Sequence, residues 1–320
     1  MPDLSSPRKP PSRFWLYAPY VGLLVVMVAW SLAWLGIRQV LIGRFDQTAA
    51  RLRAQGWTMN WSGRSVGGYP FRLLVKLQQP HFAEPSGWSL SAPALEAEAY
   101  AYAPGHWVMV APQGVTLGRP LAGPAAITGQ VLRASFTRIP GQALPQLALE
   151  GRGLSLQPAP NARPLPITRA ERLAFYLRPL PGDQAEFQLQ LTSATPAPEA
   201  LLARLGGQQP LNLVWDETLS QVSRINGRDW PTAVRRWSQA GGRASLNHGE
   251  IEAGEAKVVA PKGDSTVDAS GRLAGALTLD FSHAGAAGRQ LGGLAHADLT
   301  LEDGEIRLGP FTIGKAPRIY

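Results

Sequence analysis

The sequence predicts a mainly β (α+β) protein: an N-terminal transmembrane helix followed by a large curved antiparallel sheet with a few short helices. Three observations carry that prediction. Residues Phe14–Ile37 form an uncharged apolar stretch of about 24 residues, enough to cross a hydrocarbon core of about 30 Å. From Trp57 onward, apolar residues recur at every second position. Charged residues make up only 17% of the chain, against 34 Gly and 28 Pro, a mixture suited to short strands and turns.

The elements follow in order. Residues 1–13 are expected to be a cytoplasmic tail, basic through Arg8, Lys9 and Arg13. The span, 14–37, has Trp15, Tyr17 and Tyr20 near one end and Trp30 and Trp34 near the other, where aromatic rings favour the headgroup layers. A cleaved signal peptide is the alternative, with Ser31-Leu32-Ala33 as its cleavage site. The apolar run exceeds the usual h-region of about 7–15 residues and favours an uncleaved anchor. Arginines on both sides of the span leave the positive-inside count nearly balanced. Over 38–56, Leu41, Phe45, Thr48 and Leu52 recur at helical spacing and Gly56 is a stop signal, so a juxtamembrane helix is expected. Its Arg38, Arg44, Arg51 and Arg53 are candidates for lipid headgroups; the competing reading is a helix packed on the body with a solvated outer face.

The β-rich body is expected over 57–320. Trp57, Met59 and Trp61 alternate with polar residues, and after Gly67-Gly68 so do Tyr69, Phe71, Leu73, Val75 and Leu77. Those five are expected on one face, buried or lining a ligand groove, with Arg72 and Lys76 opposite. Strand signals follow at Trp88–Leu90, Leu95–Tyr102, Trp107–Ala111, Ile127–Phe136, Leu147–Leu149 and Leu154–Leu156. Leu173, Phe175 and Leu177 face Phe187, Leu189 and Leu191 across Pro-Gly-Asp, which reads as a hairpin. Helices are expected at Pro198–Leu205 and at Trp230–Ala240, the second with Asp229 as N-cap and Pro231 in its first turn. Leu211, Leu213 and Trp215 form a strand between them. A weak repeat places Gly turns at Gly249-Glu250, Gly271-Arg272 and Gly304-Glu305, the pattern of a hairpin meander.

Several function classes lack support. The net charge of +8 comes from scattered Arg residues without a basic run or interleaved aromatics after the span, so no nucleic-acid partner is expected. Gly63-Arg64-Ser65-Val66-Gly67 matches the nucleophile-elbow pattern, but a strand rather than a helix follows it; Ser65 reads as part of a turn between strands, and a serine hydrolase is a distant alternative. His81, His106, His248, His283 and His296 are widely spaced and the chain has no Cys, so no metal site is expected. No Walker loop or dinucleotide fingerprint occurs. No catalytic residue and no cofactor is assigned, and the protein is expected not to be an enzyme.

Arg53–Trp57 (RAQGW), Gly67–Arg72 (GGYPFR) and Asp303–Pro310 (DGEIRLGP), in this order after an N-terminal span, resemble the bacterial family catalogued as domain of unknown function 2125. The closing hairpins are also similar in texture to AsmA-like envelope proteins, which are associated with lipid handling. The first resemblance implies a single-pass protein of the bacterial inner membrane with its body in the periplasm. The expected role is non-enzymatic: binding or guiding a lipid or another apolar ligand in a groove whose open end faces the membrane, with other envelope proteins as further partners. The alternative is an envelope scaffold or partner-binding module with a closed core.

Overall fold

The computed structural model describes residues 14–200, 203, 209–254, 256–282 and 296–320. Half of the segment expected as a helix over Pro198–Leu205, and His283, lie outside them. The two N-terminal helical segments are a single element: α1 runs unbroken from Phe14 to Ala54. Gly36 and Gly43 flank the boundary at Ile37 but stay helical, so the end of the apolar run leaves no mark on the backbone.

The body is one antiparallel sheet. Its N-terminal strands are β1 (Thr58–Asn60), β2 (Gly63–Gly67), β3 (Arg72–Gln78), β4 (His81–Ala83), β5 (Ser89–Ser91), β6 (Ala94–Tyr100), β7 (Ala103–Val110), β8 (Val115–Gly118), β9 (Ala125–Thr128) and β10 (Val131–Thr137). They form two leaves, β2-β3-β6-β7-β10 and β1-β4-β5-β8-β9. Short interruptions at Trp61-Ser62, Pro80, Pro93, Pro112 and Gly129 separate each strand of one leaf from its continuation in the other. Both leaves join β11 (Gln146–Pro158): β10 pairs with residues 146–152 and β9 with 155–158. The two strand signals at Leu147–Leu149 and Leu154–Leu156 are thus one strand, while Ile127–Phe136 is two.

From β11 the sheet is a plain meander. It continues through β12 (Ile167–Leu180), β13 (Gln184–Pro196), β14 (Leu211–Ser220), β15 (Ala244–Ala253), β16 (Ala256–Val267), β17 (Leu273–Ser282), β18 (His296–Glu302), β19 (Glu305–Leu308) and β20 (Phe311–Lys315). The β12–β13 hairpin has the predicted register, with Leu173 opposite Leu191, Phe175 opposite Leu189 and Leu177 opposite Phe187. Helix α2 (Trp230–Gln239) also forms as predicted, with the Asp229 carboxylate accepting from the Thr232 amide at 2.9 Å.

Two expectations about turns are corrected. Gly271 (φ 81°) and the Asp303-Gly304 pair (φ 52° and 75°) do turn the chain, but Gly249 lies inside β15. It is opposite Trp215, and a Cβ there would come within 2.8 Å of the indole ring, so its glycine makes room for that ring. The Ser65 motif is likewise not a turn: Gly63–Gly67 is β2 itself, paired with β3.

Residues directly opposite across a sheet share a face. Following the register from α1 outward gives an unbroken apolar row: Trp107, Phe136, Leu147, Leu177 and Phe187, on β7, β10, β11, β12 and β13. A parallel row runs Met109, Ala134, Leu149, Phe175, Leu189 and Trp215. Towards the other end of the long strands this face closes into a core of Leu154, Leu156, Ile167, Leu191 and Leu211. The opposite face is polar, with Arg133 and Arg172 both paired to Glu150, and Arg178 to Glu186.

Candidate functional site

The sheet returns to its own beginning. The Trp57 indole donates to the Arg228 carbonyl at 2.8 Å, and the Trp230 amide to the Glu84 carboxylate at 3.0 Å. This closure places α2 and the C-terminal segment over the apolar face of β13–β16. Between them lies a cavity of about 490 Å³. Phe187, Trp215 and Leu219 line it from the sheet, Val234 and Trp237 from α2, and Ile319 from the C-terminal segment. Trp237 is fixed by its indole, which donates to the Ser220 carbonyl at 2.7 Å. The volume falls in the range of small-molecule sites, about 300–1,000 Å³, and the lining is almost wholly apolar.

Ser265, Thr266 and Glu217 are its polar lining residues, and Glu217 occupies the next place in the first apolar row, opposite Phe187. Glu217 is 8% exposed. Burial pushes its carboxyl above the ordinary 4.5, against a smaller lowering by a hydrogen bond from the Trp215 indole. A wider cleft of about 1000 Å³ adjoins the cavity at Ile319 and carries Arg272, Lys315 and Arg318. Trp88 Nε1 and the Tyr320 hydroxyl, both of residues lining this cleft, are buried with no hydrogen-bond partner among the described residues.

The sequence-predicted groove residues are elsewhere. Leu73, Val75 and Leu77 are buried on one face of β3, with Arg72 and Lys76 opposite, as alternation requires. Leu73 packs with Trp34 and Ala101, beside Trp30, Ile37, Leu41 and Trp107. Tyr69 and Phe71, by contrast, are 52% and 59% exposed and precede the strand. Pro70 offers no N–H to a ladder, and the Arg72 amide closes a turn onto the Gly68 carbonyl at 2.8 Å. Gly68 (φ 100°) permits this turn, for a Cβ there would come within 2.7 Å of the Arg72 carbonyl oxygen.

Of the headgroup candidates, Arg38 donates to the Val66 carbonyl at 3.0 Å and Arg53 to the Met59 carbonyl at 3.1 Å, both tying α1 to the body. Arg44 and Arg51 are exposed. Sequence reasoning found none of the cavity as a site, although it placed Trp215 on a strand and Trp237 on a helix. The expected opening towards the membrane is not where the cavity lies: Trp57 and Trp230 put it at the end of α1 remote from the apolar half.

α1 is long and apolar enough to cross a membrane, a property shared with signal sequences. No curated protein and no solved structure matches the chain. A family model described as an uncharacterized protein conserved in bacteria (DUF2125) matches residues 34–292, and the chain therefore belongs to that family.

Proposed function

We propose that this is a non-enzymatic protein of the bacterial inner membrane, held by α1 with its body in the periplasm, that binds an amphipathic ligand of the lipid class. The observation that carries the reading is the apolar cavity beneath α2. The cleft beside it adds basic side chains and two unpaired donors at one end, a setting for an anionic headgroup with the acyl part in the cavity. The two apolar rows supply a route, since Trp107 packs near α1 while Phe187 and Trp215 line the cavity. An uncleaved anchor is supported by the contacts of Trp30 and Trp34 with the body, which cleavage after Ala33 would divide.

The test is lipid mass spectrometry on the full chain purified in mild detergent, compared with Ala244→Phe, which fills the cavity from the sheet side. Co-purifying lipid that is lost in the variant, at unchanged circular dichroism, is the expected result. Equal lipid in both, or none in either, favours the second reading. That reading is a scaffold built on the filled core around Leu154, Ile167 and Leu211.

A further inference from the structure

The lower edge of the body meets α1 inside the stretch that the sequence assigns to the membrane. The Trp30 indole donates to the Pro70 carbonyl at 2.9 Å, and the Trp34 indole to the Arg72 carbonyl at 3.0 Å. Ser31 Oγ and Tyr69 Oη lie 2.8 Å apart. Around these contacts stands a cluster of outward-facing rings. Phe71 is 6.1 Å from Trp30, and Tyr69 is 5.5 Å from Trp34. Tyr100 and Tyr102 stack at 5.1 Å on the adjoining β6–β7 turn, which the hydrogen bond from the Ala101 amide to the Phe71 carbonyl holds in place. Tyr102 is 68% exposed, and Tyr69, Phe71 and Tyr100 are exposed as well.

We propose that Tyr69, Phe71, Tyr100 and Tyr102, with Trp30, form an aromatic collar seated in the headgroup layer of the membrane that α1 crosses, so that the hydrocarbon ends at Trp30 and not at Ile37. The proposal rests on the membrane-anchor reading but not on ligand binding. Lipid-exposed non-helical backbone does not occur within hydrocarbon. The Gly68–Phe71 turn is such backbone, and it packs against Trp30 and Trp34. Next to it Arg72 pairs with Glu98 at 2.9 Å while remaining open to the surroundings, an ion pair that hydrocarbon would penalise. Aromatic rings with a polar edge are the side chains that the interface favours. The crossing segment is then Phe14–Ala29, about 24 Å of helix, just below the usual range of about 17–25 residues, a mismatch that local thinning of the bilayer meets. A collar that dips into the headgroups suits a short span.

Measured along the helix from Trp30, Arg44 stands about 21 Å and Arg51 about 32 Å from the surface. Both exceed a Debye length of about 8 Å, so in an upright α1 these arginines do not hold headgroups.

The chain has no Cys, so single-cysteine variants report one site each. An environment-sensitive NBD label is placed at Leu24→Cys, Phe71→Cys, Tyr102→Cys and Leu121→Cys in the full chain. The labelled chains are reconstituted in phosphatidylethanolamine–phosphatidylglycerol liposomes containing lipid brominated near the acyl carbonyls. Leu121 is an exposed apolar control on the β8–β9 turn. Quenching at positions 24, 71 and 102 but not at 121 is expected. Quenching at 24 alone overturns the collar and leaves the anchor intact; no quenching at 24 overturns both. A membrane-impermeant maleimide is expected to reach Leu35→Cys and not Leu24→Cys. Equal protection of the two puts the boundary at Ile37 and overturns the proposal.

Discussion

Leu73 and Phe71 have the same parity in the sequence, yet truncating them is expected to have very different costs. Leu73 is 1% exposed and locked between Trp34 and Ala101. Leu73→Ala removes a fully buried side chain and leaves a void that neither α1 nor β6 can easily fill, at a cost of about 3 kcal/mol. For a body of this size that lowers Tm by about 6–12 °C. Phe71 keeps 59% of its surface exposed. Full burial of such a ring is worth about 1.5–3 kcal/mol, so the covered share amounts to about 1 kcal/mol and about 2–4 °C. Thermal unfolding of the full chain in mild detergent, followed by tryptophan fluorescence, measures both, and Trp30 and Trp34 report directly on this contact. Equal losses for the two variants would refute the packing of the β3 edge on α1 described above.

Glu217→Gln is expected to raise Tm once the pH exceeds the folded carboxyl's pKa, because burial in the apolar site disfavours the ionised form. The folded group binds its proton at higher pH than the unfolded one, so the native penalty grows as pH rises above 4.5 and the advantage of Gln fades as pH falls towards it; a pH series of melting curves checks this. Asp229→Ala removes the α2 cap and is expected to cost about 0.5–2 kcal/mol by chemical denaturation. The hydrogen bond to Thr232 holds the Asp229 carboxyl below its ordinary 3.8, so its contribution is present above that pH and is lost as pH falls through the folded value. Ser65→Ala, in the exposed middle of β2, is expected to leave Tm within about 2 °C and fluorophosphonate labelling at background. Labelling of the native wild type that the variant abolishes would reopen the hydrolase reading.

Local physics made much of this molecule legible. Charge-free length identifies α1, and a period of two assigns one face to Leu73, Val75 and Leu77. The pairing of Leu173, Phe175 and Leu177 with Leu191, Leu189 and Phe187 follows from a short loop between two alternating runs. The Asp-Trp-Pro start and Gly241 bound α2. Each depends on residues within about two dozen positions of one another. The collar and the cavity depend on contacts between residues far apart: Trp30 with Pro70, Trp57 with Arg228, Glu84 with Trp230. Periodicity states which side chains share a face and not what that face meets, so Phe187 and Leu211 look equivalent in the sequence although one lines a cavity and the other is core. Hydropathy likewise carries the apolar run to Ile37, because it counts apolar residues and cannot see that Trp30 and Trp34 are bonded to the body. Sequence alone determined the helix, the alternation and the hairpins; the coiling of the sheet and its docking on α1, set by long-range packing, decided where the apolar surface is open.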